Sequence, residues 1–311
     1  MRHHSWPIGI FAIACGLLAH SATAQAAAET WVSGDGSDAG NCPITAPCRT
    51  FAFAHEQTNN NGAINVLSSG DFGPLTIAKP ISIVAQGVEA LINTGAGGAG
   101  IIVQVGANQI VSLRGLTIDL RGTANNGISF VSGAALHVHN CVIRRPTEGI
   151  SFRPASGTSE LYVSDSAIAN ATNGILVTPS GSGGAKVMLD RVRVENGVNL
   201  GILFSGSNTT GSITATVRES VVAGNAGVGI HALEPGNGTT TVMVDHATAV
   251  DNRIGIRSHG TGATIRIGDS TVTGNDFGLV SFDGGAIESY ETNKVDGNGG
   301  NETPSSTIDM R

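Results

Sequence analysis

Apolar residues recur along this chain in two interleaved series. The first is a Gly-aliphatic pair: Gly127-Ile128, Gly149-Ile150, Gly174-Ile175, Gly201-Ile202, Gly229-Ile230, Gly255-Ile256 and Gly278-Leu279, with steps of 22, 25, 27, 28, 26 and 23 residues. The second is an eight-residue unit, VSLRGLTI, LHVHNCVI, LYVSDSAI, VMLDRVRV, ATVRESVV, VMVDHATA and IRIGDSTV, beginning at Val111, Leu136, Leu161, Val187, Ala215, Val242 and Ile265. Its steps are 25, 25, 26, 28, 27 and 23. Two series sharing one period in the twenties signal a solenoid.

Within the unit, positions one and three are apolar while position two varies through His137, Tyr162, Met188 and Arg266, which is strand alternation. The alternation slips before positions six and eight, so a bend falls at positions four and five, where Asn140, Asp165 and Asp269 suit left-handed backbone. Position six is small (Cys141, Ser166, Ser220, Ala247, Ser270) and predicts an interior column. Asn170, Asn196, Asn225, Asn252 and Asn275 each precede a Gly-aliphatic pair and are read as one set of turn residues, stacked in outward or turn-lining ladders. Each repeat thus supplies three short strands and three bends, and coils stack at roughly 4.8 Å. Gly, Asn, Thr and Ser in every unit are poor helix formers. The expected fold is all-β: a right-handed parallel β-helix of about 25 residues per coil.

The ends differ from the repeat. Trp6 to Ala19 is an apolar stretch behind Arg2, followed by Ala22-Thr23-Ala24 and Ala24-Gln25-Ala26, which reads as a secretory signal over residues 1–26. It falls short of the roughly 20 residues that span a bilayer, and no later segment is apolar enough to cross one. Residues 27–62 are expected to form an N-terminal cap with a Cys42-Cys48 disulfide loop and a short helix N-capped by Thr50. The helix is to cover the open first coil, because an uncapped solenoid exposes strand edges. Residues 63–300 carry the coils, including AINVL, LTIAKPISIVA and GIIVQV, and 301–311 form a polar tail. A secreted or periplasmic location follows.

Composition narrows the partners. The full chain has net charge -7 with 13% charged residues and 44 glycines. Losing the leader with Arg2 brings the net charge to about -8. Such a surface repels nucleic acid. An acidic polysaccharide would equally need a local basic patch. Outside the leader Trp31 is the sole tryptophan, with Tyr162 and Tyr290 the two tyrosines, a thin aromatic supply for a sugar cleft.

The segment TWVSGDGSDAGNCPITAPCRTF, then INVLSSGDFGPLTIAKPISIVA, then NGI-type coils to about residue 300, resembles the pectate lyase superfamily. More narrowly, it is similar to bacterial secreted β-helix repeat proteins of unassigned function. The superfamily holds lyases, hydrolases, adhesins and surface proteins, so the resemblance implies fold more than activity. Ser258-His259-Gly260 and Arg266-Ile267-Gly268 echo polygalacturonase segments, but the chain lacks the Asp-Asp pair that acid-base hydrolysis needs. Asp245-His246 resembles a short pectate lyase segment without a recognisable calcium cluster around it. No cofactor and no metal site is expected. His137 and His139 share one strand face near Arg114, with no third ligand identifiable. Asp190, Arg218 and Asp245 read as a salt-bridge ladder.

The outward positions of the Gly-Ile strands and their turns gather titratable groups. Catalytic candidates are His231, Arg257, His259 and Asp251; ligand-binding candidates are Arg153, Leu176, Leu203 and Asp283, with Val280 and Phe282 on the same face. A basic residue as proton acceptor beside a basic neighbour holding a uronate carboxylate would suit β-elimination. The expected function is an exported scaffold binding polysaccharide or a similar extended ligand of the cell envelope, with a lyase on uronate polymers as the alternative.

Overall fold

The computed structural model describes residues 26–94, 97–121, 126–236, 238–300 and 303–309. The expected signal segment lies outside them except for Ala26.

The chain winds as a parallel β-helix with three sheets of twelve, ten and nine strands. The eight-residue units build two of them. Val111, Leu136, Leu161, Val187, Ala215, Val242 and Ile265 pair in sequence across the twelve-stranded sheet. Ile118, Ile143, Ile168, Val194, Val222, Ala249 and Val272 do the same across the ten-stranded one. The Gly-Ile series forms the nine-stranded sheet, with Ile128, Ile150, Ile175, Ile202, Ile230, Ile256 and Leu279 in register. Every one of these residues is at most 6% exposed, so the inward columns are the core. Phe130 stacks on Phe152 at 4.3 Å between ring centroids.

Both bends take left-handed backbone. Position five has positive φ at Gly115, Asn140, Asp165, Arg191, Glu219, His246 and Asp269. Arg191, Glu219 and His246 adopt it despite a cost of roughly 1–2 kcal/mol each, because strands paired on both sides of the bend dictate its path. The small column follows as expected: the Ser166, Ser220 and Ser270 hydroxyls accept from the amides of Cys141, Val192 and Ala247 one coil earlier.

The second bend corrects the asparagine reading. Asn170 and Asn196 hold the left-handed position, shared in other coils by Arg145, Gly224, Asp251 and Gly274. Asn225, Asn252 and Asn275 sit one residue later, at most 3% exposed, in an interior ladder continued by Asn298. Two structural roles had been merged because both put Asn before Gly.

At the N-terminal end, Cys42 and Cys48 form the disulfide. Thr50 caps the helix Phe51–Gln57, accepting from the Phe53 amide at 3.2 Å. Phe51 packs on Phe72 at 4.9 Å, anchoring the helix against the first coils. At the other end the segment expected as a tail adds a strand: Ser306–Thr307 pairs with Ala286–Ser289 and extends the twelve-stranded sheet.

Candidate functional site on the nine-stranded sheet

The glycine of each Gly-Ile pair faces its neighbour's backbone: a Cβ on Gly174 would lie 2.4 Å from the Gly201 carbonyl oxygen and 2.3 Å from a Val194 methyl. This close approach fixes the register of the strand that follows. Alternation then turns the residue after the isoleucine outward. Register aligns Ser129, Ser151, Leu176, Leu203, His231, Arg257 and Val280 into one outer column. A second column places Leu233, His259 and Phe282 beside it.

Four of the expected residues converge. The His231 and His259 rings lie nearly parallel, 6.3 Å apart at 8°. His259 Nε2 is 3.1 Å from Asp283 Oδ2. The Arg257 guanidinium lies 5.5 Å above the Phe282 ring, which also meets the His259 edge at 5.0 Å. A pocket of roughly 280 Å³ opens against His231 and Arg257, with Leu203, Val228 and Ile254 as its apolar wall. His231 is 7% exposed, and burial, reinforced by Arg257 and His259, lowers its pKa to about 4. It is therefore a neutral imidazole at pH 7. Neither its Nε2 nor Arg257 Nε has a hydrogen-bond partner, although both atoms are buried.

Leu203 joins them in the pocket wall, and the other candidates are spread out. Leu203 and Leu176 continue the column away from His231. Arg153 stands beyond Leu176, bonded to Glu148 Oε1 at 2.7 Å and Thr178 Oγ1 at 3.2 Å. Asp251 is not brought to the histidines. It occupies a left-handed turn position and lines a separate shallow groove with Asn252 and Asp276. Glu148 and Ser151 were not anticipated: Ser151 is 1% exposed, and its hydroxyl and Glu148 Oε2 also lack partners. Glu148 stands alone between Asn126 and Asn173 at its register, and Ser151 shares its own only with Ser129 before the column turns to leucine, so no repeat marks them.

The twelve-stranded sheet carries the residues with family echoes. A wider groove of about 870 Å³ includes Asp245, Arg266, Asp269, Glu288 and Tyr290. Donor atoms of Asp245, His246 and Asp269 lie within 4.8 Å of one another. Calcium takes six to eight oxygen ligands, and two carboxylates with an imidazole fit it poorly. Hydrogen bonding to Asp245 at 3.1 Å raises the His246 pKa, favouring the protonated ring that no metal can bind. His137 and His139 are likewise engaged, the first edge-on to Tyr162 and the second 2.9 Å from Ser164 Oγ. Of the expected ladder, Arg218 bonds Asp190 at 3.0 Å, while Asp245 meets His246.

No protein-family model matches the chain, and no curated protein matches it by sequence. Among solved structures, the fold is similar to a rhamnogalacturonan lyase, with a TM-score of 0.53 and 13% identity, over 80% of this chain and 75% of that one. The A-module of a mannuronan C-5 epimerase from Azotobacter vinelandii matches with a TM-score of 0.39 and 12% identity, over 81% of this chain and 91% of that module. The chain has the parallel β-helix fold that the lyase shares. At such identities the likeness is one of fold.

Proposed function

We propose that the protein is an exported β-helix that binds an extended acidic polysaccharide on the outer face of its nine-stranded sheet and acts as an envelope or surface scaffold. The observation that carries this reading is the pocket with two buried, unpaired donors or acceptors, His231 Nε2 and Arg257 Nε. On a chain of net charge -7, Arg257 and Arg253, which both line this pocket, supply the local positive charge that an acidic polymer would otherwise lack. A guanidinium is suited to a carboxylate, and Leu203, Val228 and Ile254 offer a floor for the C–H face of a sugar ring. The Cys42–Cys48 disulfide suits an oxidising compartment and the expected signal segment.

One observation favours a lyase as the second reading. His259 is hydrogen-bonded to Asp283 beside Arg257, an arrangement in which a carboxylate orients an imidazole for proton abstraction. His231 is the poorer base, since a pKa of about 4 leaves it little proton affinity.

Calorimetric titration with polygalacturonate, alginate and a neutral glucan tests the proposal. Binding to the acidic polymers, weakened by salt and by roughly tenfold or more in Arg257→Ala, is expected. Failure of the wild type to bind any acidic polymer refutes it. Ultraviolet absorbance of unsaturated product, present in wild type and lost in His259→Ala, would establish the lyase instead.

A further inference from the structure

Two of the unpaired buried atoms lie away from the basic pocket, and they share one place. Ser151 belongs to the same outer column as His231 but stands three coils nearer the N-terminus, a separation of roughly 14 Å at the stacking distance of parallel strands. Glu148 opens its strand, Glu148–Phe152, and Arg153 follows the strand directly; the two form an ion pair of 2.7 Å that joins the two ends of the segment holding Ser151. The Ser151 hydroxyl and Glu148 Oε2, three residues apart on that segment, are both buried without partners.

We propose that Glu148, Ser151 and Arg153 form a second subsite that takes a neutral vicinal diol of a sugar, so that the ligand runs along the helix axis from this point to the His231–Arg257 pocket. This rests on the polysaccharide-binding reading and specifies its ligand as a chain of at least four rings.

The chemistry of the three groups selects the ligand. Glu148 repels an anionic group and Arg153 repels a cationic one, which leaves an uncharged group. Glu148 Oε2 needs a donor, the Ser151 hydroxyl can give or take one bond, and Arg153 has donors to spare. Adjacent hydroxyls, each both donor and acceptor, answer all three. Arg153 is the partner that can swing away: its side chain is 49% exposed, while that of Glu148 is 16% exposed and stays with the strand. Displacing Arg153 lets the two orphaned atoms gain partners, so its displacement and binding favour each other. Between the two subsites the column holds Leu176, 5% exposed, and the half-buried Leu203, which offers its side chain to a ring C–H face.

The test is calorimetric titration of a size series of oligogalacturonates, from two to six rings, against wild type, Ser151→Ala and Glu148→Gln, with the unfolding midpoint of each variant measured alongside. In wild type, affinity should rise by roughly tenfold or more once four rings are reached. Ser151→Ala should remove roughly threefold to tenfold of that gain and Glu148→Gln roughly tenfold or more, both leaving two-ring binding unchanged. Ser151→Ala should not lower the unfolding midpoint, because it deletes an unpaired hydroxyl; that combination separates a ligand contact from a structural one. A length-dependent gain that persists in both variants overturns the subsite and leaves the basic pocket standing. Absence of binding by wild type at every length overturns both.

Discussion

Replacing Asn252 with alanine separates the two asparagine roles in the second bend. Asn252 is 3% exposed. Its Oδ1 accepts from the Asn225 amide at 3.1 Å and from Asn225 Nδ2 at 2.8 Å, while its Nδ2 donates to Val222 O, Val250 O and Asn275 Oδ1 at 3.0, 3.1 and 3.1 Å. Several of these partners have a second bond. Val250 O keeps the Gly224 amide, Asn275 Oδ1 keeps the Asn252 amide, and Asn225 Nδ2 keeps Ala223 O. The Asn225 amide loses its acceptor, a buried orphan that costs about 1–3 kcal/mol. The shared bonds add about 1 kcal/mol more, for a total of about 3 kcal/mol. Asn170→Gly, at the neighbouring left-handed position with φ of 56°, should change stability by no more than about 0.5 kcal/mol, because glycine accepts that backbone freely. Guanidinium denaturation of both variants, compared by midpoint at constant slope, measures the difference. A cost for Asn252→Ala below about 1 kcal/mol, or one no larger than that for Asn170→Gly, refutes the ladder as a source of stability.

Acid should weaken the fold through buried imidazoles. His231 and His55 each have a pKa lowered to about 4 from 6.5, chiefly by burial, so the unfolded chain binds their protons first. Their contribution is complete above about pH 6.5 and is lost as pH falls toward 4, at most about 3 kcal/mol for His231. His231→Leu should flatten the pH dependence of unfolding in that window, and an unchanged slope would sink the assignment. Cys141 is 1% exposed with its thiol pKa pushed up to about 11 by burial, so thiol reagents should label it only on unfolding. Cys141→Ser should fold normally in a column already holding Ser166, Ser220 and Ser270; fast labelling of the native protein would contradict this placement.

The coil itself was legible because stacking repeats each inward residue at nearly fixed intervals, and the columns through Leu136 and Ile150 carry that signal in the plain order of residues. The turns were half legible. Asn before Gly marks the bend, but Asn196 and Asn225 differ by one register position, which shows only when the coils are aligned. Outward placement of His231, Arg257 and His259 follows from the same alternation, while Asp283 sits on the left-handed turn at the strand exit. Asp251 stands on the turn leading in, as read, but that turn borders a separate groove with Asn252 and Asp276 rather than the histidines. Glu148 and Ser151 had no signal: what marks them is a pair of buried polar atoms without partners, and this has no period.

The outer faces of two sheets differ in a way that stability alone does not explain. On the twelve-stranded sheet and its bends, charges find partners on neighbouring coils: Arg191 with Asp165 at 2.7 Å, Arg218 with Asp190 at 3.0 Å, Arg266 with Glu288 at 2.8 Å. These are ordinary exposed pairs, each contributing about 0–1 kcal/mol. On the nine-stranded sheet, Ser151 Oγ, Glu148 Oε2, His231 Nε2 and Arg257 Nε are buried with nothing to bond, four of the five such side-chain atoms among the described residues. Each orphan costs about 1–3 kcal/mol, and leucines of the same column, Leu176 and Leu203, show that apolar residues fit there at no such cost. A coil stack needs its inward columns filled but leaves outward residues free to vary, so these polar groups are not demanded by folding. A partner that binds this face and satisfies them offsets the loss, and His231→Leu should accordingly stabilise the free protein while weakening its hold on the polymer.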